Sequence, residues 1–300
     1  MSWLLEPFEY EFMQRAILVC VLIGFTNGFL GAFIVIRRLA LTADALSHSL
    51  LPGLAVAAIF IGLNPAGLLL GGLVAAVIVA VGGQLITRSS RIKDETAIAS
   101  LYVIAFALGV ILIRFAKVKV DLDGFLFGNI LGVANSDIGI SLATCAITLS
   151  TLLILQRPLL LTLFESSVAR SQGVPVQALL TTLMVLIVLA MLASLQAVGV
   201  LLSLGLLILP AATMYLLSDS YQAMSWGGAA LGVTGAVLGL MISFRANIPS
   251  GPAIVMVLGA AFLGALLFSP KYGIVIRALR PRHLHKESLD RWKISSGPEQ

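Results

Sequence analysis

Asp44 and His48 are the residues of this chain whose types and spacing could do chemistry together. They lie in RRLALTADALSHSLLPG, residues 37–53, where a basic pair gives way to an apolar segment that still carries a carboxylate and an imidazole. On an α-helix, residues four apart stand one turn apart along the axis and about 40° apart around it. A carboxylate oxygen with an imidazole nitrogen is a borderline ligand set that accepts manganese, ferrous iron or zinc. The plainer reading is that the two side chains bond to each other, or to backbone freed by Pro52. Ser47, beside the pair, could orient a water or simply bond to backbone. An ionisable pair beside a Pro-Gly break inside a hydrophobic span is a candidate functional site in a membrane protein.

The solvent in which this pair must sit follows from composition. Of 300 residues, 59% are hydrophobic and 11% charged, and mean hydropathy is +1.05. Soluble domains carry roughly a quarter charged residues, so this is a polytopic all-α membrane protein. The net charge of +5 reflects basic residues in short loops and the carboxyl-terminal stretch. That pattern fits positive-inside topology and not a nucleic-acid surface. Cys20 and Cys145 both fall in apolar spans with no CxxC or Cys/His cluster, and read as small buried hydrophobes.

The amino-terminal MSWLLEPFEYEFMQR lacks the pattern of a signal peptide and reads as an interfacial segment, with Trp3, Phe8, Tyr10 and Phe12 at headgroup level. Successive spans are then expected over 16–36, from beyond Arg38 through Asp44 and His48 to about 63, and over about 66–86, 96–115 and 138–156. From 177 to 217 the apolar run is too long for one helix and should break at 195–199, with Pro210 inside its second part. Two more spans, one over about 223–243 and a last one that follows the FRANIPSGP loop and runs to about 268, complete about nine transmembrane helices, within a range of eight to ten. The amino terminus is then external and the carboxyl terminus internal. Arg37-Arg38 and the Arg88/Arg91/Lys93 loop agree in side, whereas Lys117 and Lys119 fall on the outside as an exception to the charge rule. Gly128 and Gly132, in the turn before the fifth span, permit close helix approach.

Residues 157–176, RPLLLTLFESSVARSQGVPV, form the one substantial internal insertion. Glu165 and Arg170 match the dipole of a short helix, and Gly173 is placed to cap it. A helix held along the membrane is either a docking surface or a capped interfacial connector. Residues 1–276 form the transmembrane domain and 277–300 a basic tail, where His283 and His285 could bind metal but fit a solvated tail better. GxxxxGK[ST] is absent, so any energy taken from nucleotide must come through a partner.

Several stretches together resemble one family. RRLALTADALSHSLLPG, DETAIASLYVIAFALGVIL, LFGNILGV, FESSVARSQGVPV, LQAVGVLLSLGLLILPAAT and IPSGPAIVMVLGAAF are similar, in order over about residues 14–275, to the ABC-3 membrane permeases of ABC importers for manganese, zinc or iron. The resemblance implies a type II-like importer permease in the bacterial cytoplasmic (inner) membrane. It implies pairing with a second permease copy, a cytoplasmic ATPase on each half, and metal delivery by an extracytoplasmic binding protein. The chain itself would be no enzyme and hold no permanent cofactor. Phe164, Glu165, Ala169 and Gly173 fall on the family's cytoplasmic coupling segment.

If two copies face each other across an axis, Asp44 and His48 from each supply two oxygens and two nitrogens. Such a set can select a divalent ion and still release it. The absence of thiolates and of an external His-rich loop favours manganese, with zinc close behind. The competing class is a proton-coupled secondary carrier that uses the pair as a relay. Such carriers usually spread ionisable groups over several helices, and here they are concentrated on one.

Overall fold

The computed structural model describes residues 6–62, 64–115 and 130–279, and the regular structure among them is helical. In chain order the helices are α1 (Glu11–Arg37), α2 (Ala40–His48), α3 (Leu51–Phe60), α4 (Pro65–Ser89), α5 (Asp94–Phe115), α6 (Asn135–Phe164), α7 (Ser166–Ser171), α8 (Val176–Leu217), α9 (Tyr221–Ala246), α10 (Ser250–Phe268) and α11 (Ile274–Leu279). Short 3₁₀ turns occupy Glu6–Glu9 and Ile130–Gly132. Lys117, Lys119, Gly128, His283 and His285 lie outside the described residues, as does Trp3.

Among the described residues, eight segments are long and apolar enough to cross a membrane, counting α2 and α3 as one span and taking Val176–Leu195 as the crossing part of α8. Leu202–Leu217 is a shorter apolar helix. It is a ninth crossing by parity. α1 and α9 pack antiparallel along paired glycines, Gly24 on Gly232 and Gly28 on Gly228, and a Cβ added at Gly28 would stand 2.2 Å from the Gly228 carbonyl oxygen. Aromatic pairs keep the same register, with Tyr10 on Phe244, Phe29 on Trp226 and Phe33 on Tyr221. Spans that run in opposite directions have order numbers that differ by an odd number, and α1 and α9 do so, as first and eighth, only if Leu202–Leu217 is counted. Each glycine pair belongs to a GxxxG spacing, which lets backbones approach where the hydrophobic effect between helices is weak.

The break within α8 falls at Gly199, whose φ of 81° and ψ of 169° belong to a region essentially confined to glycine. It lies within the expected 195–199 stretch and turns the chain back at the α1 amino-terminal end. α6 departs from expectation. It runs on to Phe164 with Pro158 inside it, where the sequence placed an end near residue 156. The proline removes one backbone donor, but Leu159 and Leu163 beyond it are buried, so the helix retains an apolar stripe to pack. The connection that protrudes is therefore shorter than 157–176 and comprises Glu165 to Pro175.

A buried core of α1, α2, α4 and α8 residues, including Phe33, Leu46, Leu50 and Leu183, seats α2. A second core joins the amino-terminal half of α1 to the second half of α8, α9 and α10. Asn27, fully buried in α1, donates to Ser194 Oγ in α8 at 2.9 Å and ties the two together. α5 is the least buried span, with Ile104, Ile111 and Phe115 all more than half exposed.

Candidate functional site

The site is built by a helix that begins late and ends early. α1 closes with Arg38 in the left-handed conformation, φ 58°, where Leu39 N–H bonds Ile34 O at 2.9 Å and Arg38 N–H bonds Val35 O at 3.1 Å. This is the hydrogen-bond pattern of a Schellman cap, made here without glycine. α2 starts at once, so Asp44 lies about 6 Å and His48 about 12 Å along its axis from Ala40. Ser49 and Leu50 then separate α2 from α3. Pro52, second in α3, has no N–H to offer the His48 carbonyl one turn back, which is why the helix breaks there. Gly109 of α5 packs against the Leu51-Pro52 backbone, and Gly53 packs against Gly71 of α4.

Within α2, Thr42, Ala43, Ala45, Leu46 and Ser47 are buried, while Leu41, Asp44 and His48 share the opposite, open face. The Asp44 side chain is 47% exposed and that of His48 34%. Asp44 Oδ1 and His48 Nε2 stand 3.8 Å apart. That is beyond hydrogen-bond length, so the pair is not closed on itself. Two donors each about 2.1–2.2 Å from one ion are about 3.4–3.9 Å apart for angles between tetrahedral and about 125°, so both can reach a single divalent ion without leaving their helix. Ser47 Oγ donates to the Asp44 carbonyl at 2.6 Å and is a backbone-bonding serine.

Two residues of α5 frame the imidazole and were not singled out from the sequence. Phe106 meets His48 edge to face at 5.7 Å between ring centres, and Tyr102 lies at 6.3 Å. Their spacing of four residues on an apolar helix was visible, but nothing in sequence says which helix α2 packs against. Among the described residues, no group of three or more His, Cys, Asp or Glu could hold a metal ion. One chain thus offers two donors on an open flank, and a carboxylate facing hydrocarbon is costly enough that this face must be covered by protein or water.

The second set of sequence-predicted residues surrounds α7. Phe164 ends α6 and is 64% exposed, and Glu165 forms the corner between α6 and α7 and is exposed as well. Ala169 is fully buried and anchors α7 to the body. Gly173 has φ 76°, with its N–H on Arg170 O at 3.0 Å and the Val174 N–H on Ala169 O at 2.9 Å, again the Schellman pattern. The four residues therefore divide into an exposed pair, an anchor and a cap. α7 lies at the same end as Gln84 of α4, whose Oε1 accepts from Gln177 at 2.8 Å and Thr181 at 2.7 Å in α8.

Residues 9–269 match the ABC 3 transport family. The chain belongs to that family. Its similarity to individual members is nearly end to end. It is 37% identical over 281 residues to the manganese transport system membrane protein MntC of Halalkalibacterium halodurans, covering 93% of this chain and 95% of the relative. The chelated iron transport system membrane protein YfeD of Yersinia pestis is 33% identical over 282 residues, covering 93% of each. In structure, PsaBC from Streptococcus pneumoniae in complex with Fab superposes with a TM-score of 0.79 at 35% identity, covering 90% of this chain and 96% of that one. This ABC 3 chain is accordingly a multi-pass membrane permease, a transport component of an ABC importer.

Proposed function

We propose that this ABC 3 permease conducts a divalent transition metal, manganese before zinc or iron, from an extracytoplasmic binding protein into a bacterial cytoplasm. Two copies face each other through the open flank of α2. Asp44 and His48 of each then form a four-donor constriction of two carboxylates and two imidazoles. The observation that carries this reading is the partly exposed Asp44/His48 pair, 3.8 Å apart, on the least buried face of α2, where α5 packs Tyr102 and Phe106 beside His48 and Asp44 stays about half exposed. Relatives named for manganese and iron transport support the choice of ion, and oxygen-nitrogen ligation without thiolate suits it.

At the basic end, a cytoplasmic ATPase docks on α7, with Phe164 and Glu165 as its contacts, Ala169 as the buried anchor and Gly173 as the cap that fixes the return of the chain. α8 begins shortly after α7, and its first half runs unbroken to the Gly199 break, so a displacement of α7 is transmitted along that half to the opposite side of the membrane. Nucleotide energy enters through that contact.

The test is manganese uptake into vesicles that hold the permease and its ATPase, with ATP supplied on the ATPase side. Asp44→Asn and His48→Ala should each abolish uptake while basal ATP hydrolysis persists. Uptake within about twofold of the parent in correctly inserted protein would exclude the site, since ligand loss should cost at least the 10–100-fold typical of the residues that orient metal ligands. Uptake driven by a proton gradient with no ATPase present would exclude the mechanism.

A further inference from the structure

At the basic end the structure contains a cavity of about 280 Å³ that neither Asp44 nor His48 lines. It lies where the end of α1, the start of α2, the end of α4, the start of α5, α7 and the start of α8 meet. Arg37, Arg88 and Arg170, from three different helices, line it, and Asp94 is the one acidic residue among its lining residues. The lining therefore carries a net charge of +2 by formal count. Among the described residues, none of the three guanidinium groups is ion-paired with a carboxylate. The three arginines are exposed, while the same lining includes the buried polar side chains of Thr42 and Gln84 and an apolar floor of buried Ile98 and Met184 with half-buried Leu39. The cavity adjoins a broader one of about 630 Å³ that shares Arg88, Arg170, Val176 and Gln177.

We propose that this cavity binds the phosphate group of an anionic membrane phospholipid. Three planar forks from separate helices around one cavity suit the oxygens of a phosphate, which arginine holds by paired, charge-assisted hydrogen bonds. The apolar floor next to the basic lining suits an amphiphile, whose phosphate meets the arginines and whose glycerol and first methylenes meet Leu39, Ile98 and Met184. Basic pockets between transmembrane helices on the cytoplasmic side take phospholipid headgroups by this arrangement. An acidic side chain from a docked protein would satisfy the arginines and leave the apolar floor uncovered. Because Arg170 belongs to α7 and Arg37 to the α1 end that launches α2, a bound phosphate ties the docking helix to the helix of Asp44 and His48. The lipid acts as a bolt between the two.

The phosphate group could also arrive as free inorganic phosphate, and the experiment separates the sources. Full-length permease is reconstituted into nanodiscs of phosphatidylcholine with graded phosphatidylglycerol, and retained lipid is read by native mass spectrometry. The parent is expected to retain phosphatidylglycerol selectively, and each arginine replaced by glutamine should weaken retention about tenfold. Arg91→Gln, outside the cavity, should leave it unchanged. The charge-conserving Arg37→Lys/Arg88→Lys/Arg170→Lys protein guards against a folding defect and should keep part of the retention. A thermal shift with inorganic phosphate alone, lost in the glutamine variants, keeps the phosphate site and reassigns its source. Lipid retention and phosphate response that are both unchanged in the glutamine variants overturn the proposal. So does a parent that shows neither while its glutamine variants lose only ATPase association. Metal uptake is not the readout, so the outcome stands apart from that of the Asp44/His48 tests.

Discussion

The antiparallel seam between α1 and α9 makes Gly28→Ala a severe change for a single methyl group. The added Cβ would lie 2.2 Å from the Gly228 carbonyl oxygen and 3.0 Å from Ala229 Cα, about 1.2 Å short of ordinary van der Waals contact with the oxygen. Both clashing atoms belong to backbone, so no rotamer change relieves them. The neighbouring Gly24/Gly232 pair is equally tight, at 2.7 Å and 2.2 Å for the two hypothetical Cβ atoms, which prevents α9 from pivoting away at one end only. The helices must part by about an ångström. Overpacking of this kind costs about 1–3 kcal/mol. Separation also loosens the edge-to-face contacts of Phe29 with Trp226 and Phe33 with Tyr221, each worth about 0.5–1.5 kcal/mol. A loss of about 2–4 kcal/mol should lower the apparent Tm by about 4–16 °C, taking the roughly 2–4 °C per kcal/mol of domains of about 150–250 residues. The assay is the fraction of monodisperse protein remaining in detergent after heating. Gly259→Ala and Gly264→Ala are the controls, because a Cβ at either meets nothing within 4 Å. A Gly28→Ala protein as heat-resistant as those two controls would refute the close-packed seam.

Gly199→Ala places a side chain in a backbone region that only glycine adopts without strain, and should cost about 1–3 kcal/mol, seen as a fall in apparent Tm of several degrees. At the other end of the molecule, the Lys271 ammonium, and after it the Tyr272 hydroxyl at 3.1 Å, hold the Asp219 carboxyl below its ordinary range. A lowered carboxylate pKa stabilises the fold above the unfolded value of about 3.9, and that contribution is lost as pH falls through the lowered folded value. Release of the segment after α10 should therefore be flat from pH 7 to about 5 and accelerate only below about 4, as read by a fluorescent probe on that segment. Asp219→Asn should abolish that acid step.

Much of this protein was legible from its residues alone because a bilayer leaves few choices. Apolar runs long enough to cross must be helices, since backbone polar groups find no partner in hydrocarbon. The order of spans, the break near Gly199 and the cap at Gly173 therefore followed from composition, length and local backbone chemistry. The pair Asp44/His48 stood out for the same reason, as charge where charge is expensive. The continuation of α6 through Pro158 did not follow, because it depends on what Leu159 and Leu163 find to pack against. Nor did the division of the residues around α7 into exposed Phe164 and Glu165 and buried Ala169. Only tertiary structure set Tyr102 and Phe106 beside His48 and left the Asp44 face of α2 open. It alone brought Arg37, Arg88 and Arg170 around one cavity. Side-chain periodicity tells which residues share a face of one helix, but which helix meets that face is decided by complementarity between distant segments, here by glycine pairs such as Gly28 with Gly228 and Gly53 with Gly71.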